Sequence, residues 1–210
     1  MPSTVSPMPN CGTPCRGAGI DQGLLAIIKD LYRGATASVR YVKNGECSTA
    51  FPITKGVRQG CVLAPFLFNL YIRDLELGLC KGGGDFPKIG DRSLPVLLFA
   101  DDAVLMGRTP LALQTLIDRF SSFMANLDLR VNVSKTFSMI CGAPASSKGP
   151  LFFLNGQKIN NTPNFSYLGI VFNSMGSWTP NSTHRNRAFS REVLAISVFN
   201  AKLGNAHSNT

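Results

Sequence analysis

The apolar residues of this 210-residue chain recur with two periods, and the alternation between those periods lays out the expected elements. From Leu24, the positions Leu24, Leu25, Ile28, Leu31 and Tyr32 follow helical spacing, and Gly34 supplies a stop. SVRYVKNGECSTAFPI then alternates in part and carries Asn44 and Gly45, a pair suited to a tight type I′ turn because both residues accept positive φ. In TKGVRQGCVLAPFLFNLYIRDLELGL a loop gives way to a helix, with Pro65 in its first turn and Leu67, Leu70, Leu75 and Leu79 on its apolar stripe. Gly82, Gly83 and Gly84 break that helix.

LPVLLFADDAVLM, Leu94 to Met106, reads as a buried strand, a turn and a second buried strand. PLALQTLIDRFSSFMANLDL follows, with Leu113, Leu116, Ile117, Phe120, Met124 and Leu127 on one helical face. LRVNVSKTFSMIC reads as a strand, LFFLNGQKI as a hairpin on Asn155 and Gly156, and FSYLGIVFN as one short strand. Strand, helix and strand around residues 95–140 predict an α+β domain whose sheet is covered by helices. The tail from Arg185 reads as a basic, partly amphipathic helix that runs out in Gly204 to Thr210.

Composition adds a class to this outline. At 44% hydrophobic the chain can bury a real core and fits one domain, or one domain with a fragment of another. Residues 1–18 are rich in Met, Pro, Ser, Gly and Cys without periodicity, so they are expected to be a disordered or unrelated leader, with order beginning near Ile20. The opening has no positive n-region with an apolar core behind it, and no run approaches about 18 apolar residues. An intracellular location, cytoplasm or nucleus, and no membrane span are expected. The six cysteines, at 11, 15, 47, 61, 80 and 141, show neither disulfide-framework nor zinc-ligand spacing.

The formal charge of +9 is unevenly distributed. Residues 1–60 carry seven Lys and Arg against three acids, and residues 130–210 carry eight against Glu192 alone. Residues 61–129 reverse the balance, with six basic residues against eight acids. Two basic flanks around an acidic centre suit a protein that holds a polyanion while a metal sits at the middle; a merely basic, solvated surface gives the same count.

The acids of greatest interest are Asp101 and Asp102, adjacent and set between two apolar runs. Uncompensated burial of charge is costly, so the pair must either reach water or hold a cation. Neighbouring residues on a flat strand point to opposite faces, so one site can use both only if the backbone reverses near them. A reversal between Phe99 and Val104 makes the runs two arms of a hairpin and turns Asp101 outward at its tip. Carboxylate oxygens there suit Mg²⁺ or Mn²⁺, hard cations that keep several waters and share phosphate ligands with a substrate. A solvated turn is the commoner fate of two adjacent aspartates, and only context separates the two readings.

That context is a set of segments in fixed order that resembles the reverse transcriptase of LINE-type, non-LTR retrotransposons. GVRQGCVLAPFLFNLYIRDLE, residues 56–76, resembles the motif B loop and helix of that family, and FADD, residues 99–102, its motif C hairpin. LRVNVSKTFSMI, residues 129–140, is similar to motif D, and FSYLGIVF, residues 165–172, to the motif E or primer-grip segment. The resemblance covers roughly residues 19–178, with residues 179–210 as a basic helical tail beginning a thumb-like region. It implies a partial polymerase palm, an antiparallel sheet with the FADD hairpin packed against helices.

The resemblance also implies roles. Asp101 and Asp102 would ligate Mg²⁺ or Mn²⁺, because nucleotidyl transfer needs charge neutralised where phosphate charge develops. Arg58, Gln59 and Gly60, with Phe99 and Ala100, would contact template and nucleotide. A side chain at Gly60 would obstruct the nascent base pair. Lys135 would stabilise or protonate the departing pyrophosphate. Tyr167, Leu168 and Gly169 would hold the primer end. The implied partners are an RNA template, a DNA primer and deoxynucleoside triphosphates.

A palm also needs a motif A carboxylate on a strand beside the hairpin, since Asp101 and Asp102 leave the metals underligated. The residues before Gly19 contain no Asp or Glu, and Asp21 falls in the helix that should follow motif A. The basic fingers segments are not recognisable either. The expectation is therefore a family-typical polymerase domain with little or no activity by itself. The alternatives are a non-catalytic nucleic-acid-binding fragment and a retroelement remnant; a second chain supplying the carboxylate is open.

Overall fold

The computed structural model describes residues 19–41, 45–53, 56–58, 60–142 and 149–174, and the backbone of 195–202. The expected leader, Asn44, Gln59 and the tail from Arg185 to Leu194 lie outside the described residues. The chain divides into two compact units, Met1–Arg73 with Leu203–Thr210, and Asp74–Lys202.

In the first unit, α1 spans Gln22–Tyr32. Asp21 caps it, its carboxylate accepting from the Gly23 N–H at 2.8 Å and the Leu24 N–H at 3.4 Å, which satisfies donors a helix leaves orphaned at its start. Leu25, Ile28 and Tyr32 are its buried face, while Leu24 and Leu31 are half exposed, so the core-facing stripe is narrower than the apolar count implied. Strands β1 (Thr36–Ala37) and β2 (Phe51–Pro52) pair antiparallel. Beyond them the Tyr41 N–H donates to Glu46 O and the Gly45 N–H to Tyr41 O, and the turn expected at Asn44 and Gly45 falls partly on residues outside those described. Helix α2, Ala64–Tyr71, has Pro65 in its first turn and brings Leu67 onto Ile28 and Tyr32, with Val57 against them.

The single helix expected through Leu79 is two. After Ile72 the chain breaks and α3 runs Leu75–Cys80. The reason lies in the stripe itself: Leu70 to Leu75 is a five-residue step, about 140° off the face at 100° per residue, so no straight helix holds both on one side.

The second unit is built on a seven-stranded sheet. Its strands are β5 (Val96–Phe99), β6 (Asp102–Gly107), β7 (Arg130–Val131), β8 (Phe137–Met139), β9 (Phe152–Leu154), β10 (Gln157–Asn161) and β13 (Ala195–Lys202). The order is β5-β6-β13-β8-β10-β9, with β7 also paired to β13. All pairs are antiparallel except β8 with β10, so the sheet is mixed rather than purely antiparallel. Two short ribbons, β3 (Lys88–Ile89) with β4 (Arg92–Ser93) and β11 (Asn164–Tyr167) with β12 (Ile170–Asn173), stand apart from it.

Helix α4, Pro110–Asn126, covers the sheet. Thr109 caps it by accepting from the Ala112 N–H at 3.2 Å, and Pro110 fits the first turn, where no N–H is needed. Leu113, Leu116, Ile117, Phe120 and Met124 are essentially fully buried, each contributing about 2 kcal/mol of transfer free energy before packing. The helix approaches the end of β6 so closely that a Cβ at Gly107 would lie 2.7 Å from the Leu113 nitrogen. Arg119 ties α4 to its neighbour, donating at 2.9 Å each to Leu79 O in the last turn of α3 and to Gly83 O in the glycine run beyond it.

Two further expectations change form. LRVNVSKTFSMIC is not one strand: the Asn132 side chain accepts from the Ser134 N–H at 3.0 Å, and a 3₁₀ turn over Val133–Lys135 separates β7 from β8. FSYLGIVFN is a hairpin, not one strand, with Leu168 (φ 52°) and Gly169 (φ 79°) in its two-residue turn. Asn155 (φ 51°) and Gly156 (φ 76°) make the expected turn between β9 and β10. Within the tail, Ala195–Lys202 is a strand rather than helix, its β-branched Ile196 and Val198 suiting the pairing it makes with β6 and β8.

Candidate functional site

The acid pair stands at the reversal between β5 and β6. Phe99 pairs with Asp102, so Ala100 and Asp101 alone make the turn. Ala100 has φ 51°, a conformation that ordinarily selects glycine, and the tightness of the link imposes it here. Asp101 is exposed at the tip, and Asp102 opens β6 partly buried.

The two arms differ. Ala103 to Gly107 of β6 are all buried, as a strand flanked on both sides should be. In β5 only Val96 is buried; Leu97, Leu98 and Phe99 are exposed because β5 is the sheet edge. The first apolar run is therefore an edge strand, and Phe99, at 58% exposure, projects beside the acids into solvent.

Alternation along β6 puts Asp102, Val104 and Met106 on one face. Val104 and Met106 form a cluster there with Leu94, Phe165 and Tyr167, and the Phe165 ring lies 6.4 Å from that of Phe137. The hairpin of β11 and β12 is thereby seated on the acid-bearing face. Burial raises the Tyr167 phenol above its ordinary value, and the Asp102 carboxylate raises it further. Asp102 and Tyr167 are thus brought together, with Asp101, Phe99 and Ala100 at the adjoining turn and Leu168 and Gly169 at the tip of Tyr167's hairpin.

Lys135 is exposed in the 3₁₀ turn. Strand β13 pairs with β6 up to Asn200↔Asp102 on one side, and with Val131 and Phe137 on the other, opposite Ala201 and Val198. The turn therefore lies at the aspartate end of the sheet but with β13 between, on the order of 10 Å away across two strand spacings.

Arg58 and Gly60 belong to the first unit. The Arg58 guanidinium lies 5.4 Å from the centroid of the Tyr32 ring, a cation–π arrangement that the sequence pattern did not signal. Tyr32 itself is held above its usual pKa, chiefly by burial. Gly60 has φ 80°, and a Cβ built on it meets nothing of this chain within 4 Å, so backbone conformation is what requires glycine there.

A family model described as reverse transcriptase (RNA-dependent DNA polymerase) matches residues 9–172. The chain belongs to the reverse transcriptase family. The match begins inside the stretch expected to be a leader and covers the acid turn, the Lys135 turn and the Tyr167 hairpin. This reverse transcriptase domain is 31% identical over 169 residues to the Retrovirus-related Pol polyprotein from type-2 retrotransposable element R2DM of Drosophila melanogaster, covering 77% of this chain and 16% of that protein. It is 30% identical over 169 residues to the corresponding polyprotein of a type-1 element R2 of Popillia japonica, 77% of this chain and 24% of that protein. It is 24% identical over 160 residues to the RNA-directed DNA polymerase from mobile element jockey of Drosophila melanogaster, 73% of this chain and 17% of that protein. The domain is of the LINE type, and it spans a quarter or less of these relatives.

The donor set suits a hard divalent cation. Asp101 and Asp102 offer carboxylate oxygens, the donor type that such cations prefer, at the turn and at the start of β6. Among the described residues no three His, Cys, Asp or Glu converge, and no helix is long and apolar enough to cross a membrane.

Proposed function

We propose that this chain is a palm portion of an RNA-directed DNA polymerase, with Asp101 and Asp102 as ligands of Mg²⁺ or Mn²⁺. The observation that carries the reading is the tight turn that exposes Asp101 at its tip while Asp102 begins the strand beneath Tyr167. In the reaction, a primer 3′-hydroxyl attacks the α-phosphorus of a deoxynucleoside triphosphate, and pyrophosphate leaves. A cation bound at the acids supplies charge neutralisation on the phosphates. Tyr167, Leu168 and Gly169 position the primer end from their hairpin beside Asp102. Lys135 offers its ammonium to the departing pyrophosphate, and Arg58, Gln59 and Gly60 contact template and nucleotide.

We further infer that the chain alone extends primers poorly, because the strand beside Asp102, AISVFNAK, contains no carboxylate. A non-catalytic nucleic-acid-binding role is the second reading, favoured by eight Lys and Arg against a single acid in residues 130–210. The test is extension of a primed RNA template with Mg²⁺ and deoxynucleotides, comparing the chain with Asp101→Ala. Salt-sensitive RNA binding with little extension is expected; robust extension lost in Asp101→Ala would overturn the claim of inactivity, and no binding at low salt would overturn both readings.

A further inference from the structure

Helix α1 ends in an aromatic platform. Tyr32 is its last residue, only 2% exposed, and it clusters with Ile28 and Leu67 while Val57 packs against them, so the ring is fixed. The Arg58 guanidinium lies over that ring. Arg58 itself is exposed and makes no ion pair among the described residues, so the ring occupies one side of the group and its N–H donors are left for an anion. The same residue closes the turn that carries Gly60. Its carbonyl accepts from the Cys61 N–H at 3.2 Å, and Gly60 takes φ 80°, a positive value that suits glycine at the third position of a four-residue turn. The Tyr32 hydroxyl is buried near Cys61 without a hydrogen bond of good geometry. A hydroxyl so placed does not strengthen the fold, which leaves the ring as the part of Tyr32 that acts on Arg58.

We propose that Tyr32 is a positioning residue, whose ring holds the Arg58 guanidinium at the Gly60 turn to take a phosphate of RNA or of a nucleotide. This rests on the reading that Arg58 contacts template and nucleotide. An arginine held in place before binding loses less side-chain freedom when it grips its ligand, and that freedom is among the largest of any side chain. Planarity makes the arrangement particular to arginine. A lysine ammonium would keep the charge but lose the flat, forked group that can rest on a ring and still present its N–H edge.

The experiment titrates the full chain against fluorescent single-stranded RNA over a range of salt, and in parallel against a deoxynucleoside triphosphate, which tells a template phosphate from a nucleotide phosphate. Arg58→Ala is expected to weaken binding of the ligand whose phosphate it grips, and on RNA to lower the salt slope by about 0.7–1, the share of one contact. Tyr32→Leu is expected to weaken the same binding about two- to fivefold, and Tyr32→Phe, which puts back the ring alone, to rescue it. In Tyr32→Leu/Arg58→Ala the loss should equal that of Arg58→Ala, a coupling that general loosening of the core does not produce. If Arg58→Ala weakens binding while folded Tyr32→Leu does not, or if the two losses add, the role of Tyr32 is overturned and the Arg58 contact stands. If Arg58→Ala changes the binding of neither ligand, both are overturned. Should Tyr32→Leu fail to fold, the surface variant Arg58→Lys replaces it, with a two- to fivefold loss expected and wild-type affinity overturning the proposal.

Discussion

Tyr167 lies within electrostatic reach of Asp102: burial first, and then that carboxylate, hold its phenol above the ordinary value. The pairing joins a hairpin tip to the acid turn across a shared apolar cluster of Val104, Met106, Leu94 and Phe165. Asp102→Asn removes the second cause and leaves the first, so the Tyr167 pKa should fall yet stay above that of an exposed tyrosine. A phenolate absorbance titration, with Tyr167→Phe as the subtraction control, measures it; an unchanged titration would show that the carboxylate has no influence there.

The turns at Ala100 and Leu168 place L-residues at φ 51° and 52°. Left-handed backbone costs a side chain about 1–2 kcal/mol, while glycine costs the unfolded chain's entropy, about 0.5–1 kcal/mol. Leu168→Gly should therefore raise stability by up to about 1 kcal/mol, and Ala100→Gly by a similar amount. Urea unfolding midpoints decide this, and a loss of stability in both variants would refute the strain.

Gln114 of α4 clamps the sheet's far edge. Its amide donates to Phe153 O at 2.9 Å and accepts from the Phe153 N–H at 3.0 Å, replacing the strand that β9 lacks on that side. The same side chain donates to Asp118 at 2.9 Å. Gln114→Ala should cost about 1 kcal/mol, because the bonds are solvent-accessible. Faster amide exchange confined to β9 and β10 is the expected signature by hydrogen-exchange mass spectrometry.

Cys141 is buried, and burial pushes its thiol from 9.0 up to about 11. At pH 8 roughly one molecule in a thousand carries the thiolate, so iodoacetamide should modify exposed Cys47 long before Cys141. The fold favours the protonated form, so its stabilisation is complete below pH 9 and is lost as pH rises through 11. The raised phenols of Tyr32 and Tyr167 act in the same direction. Alkaline unfolding curves should show that decline, with Cys141→Ala making it shallower.

Gly107→Ala sets a side chain against the Leu113 backbone, where a Cβ would approach the nitrogen to 2.7 Å. Helix α4 would have to move off β6, at a cost of about 1–3 kcal/mol. Thermal unfolding measures it, and a neutral result would mean that the helix shifts freely.

Elements whose causes are local were legible in the chain. The turn at Asn155 and Gly156 needs two residues tolerant of positive φ and has them, and α4 carries its cap at Thr109 and an unbroken apolar face. The hairpin at Leu168 was not legible, because leucine is a poor turn former and its conformation is imposed by the strands on either side. The break after Ile72 was visible only as an awkward five-residue step. At the site, the reversal at Asp101 followed from charge and alternation, whereas the stacking of Arg58 on Tyr32 joins residues too distant in sequence for any pattern to link them.

By itself the sequence determined the family, the α+β class and the acid turn, since motif order, periodicity and the cost of burying carboxylates are written residue by residue. Tertiary structure alone decided which strand lies beside those acids. The ladder that sets Asn200 against Asp102 joins residues 98 positions apart, and strand pairing at that range depends on how the whole sheet closes, which no local preference encodes.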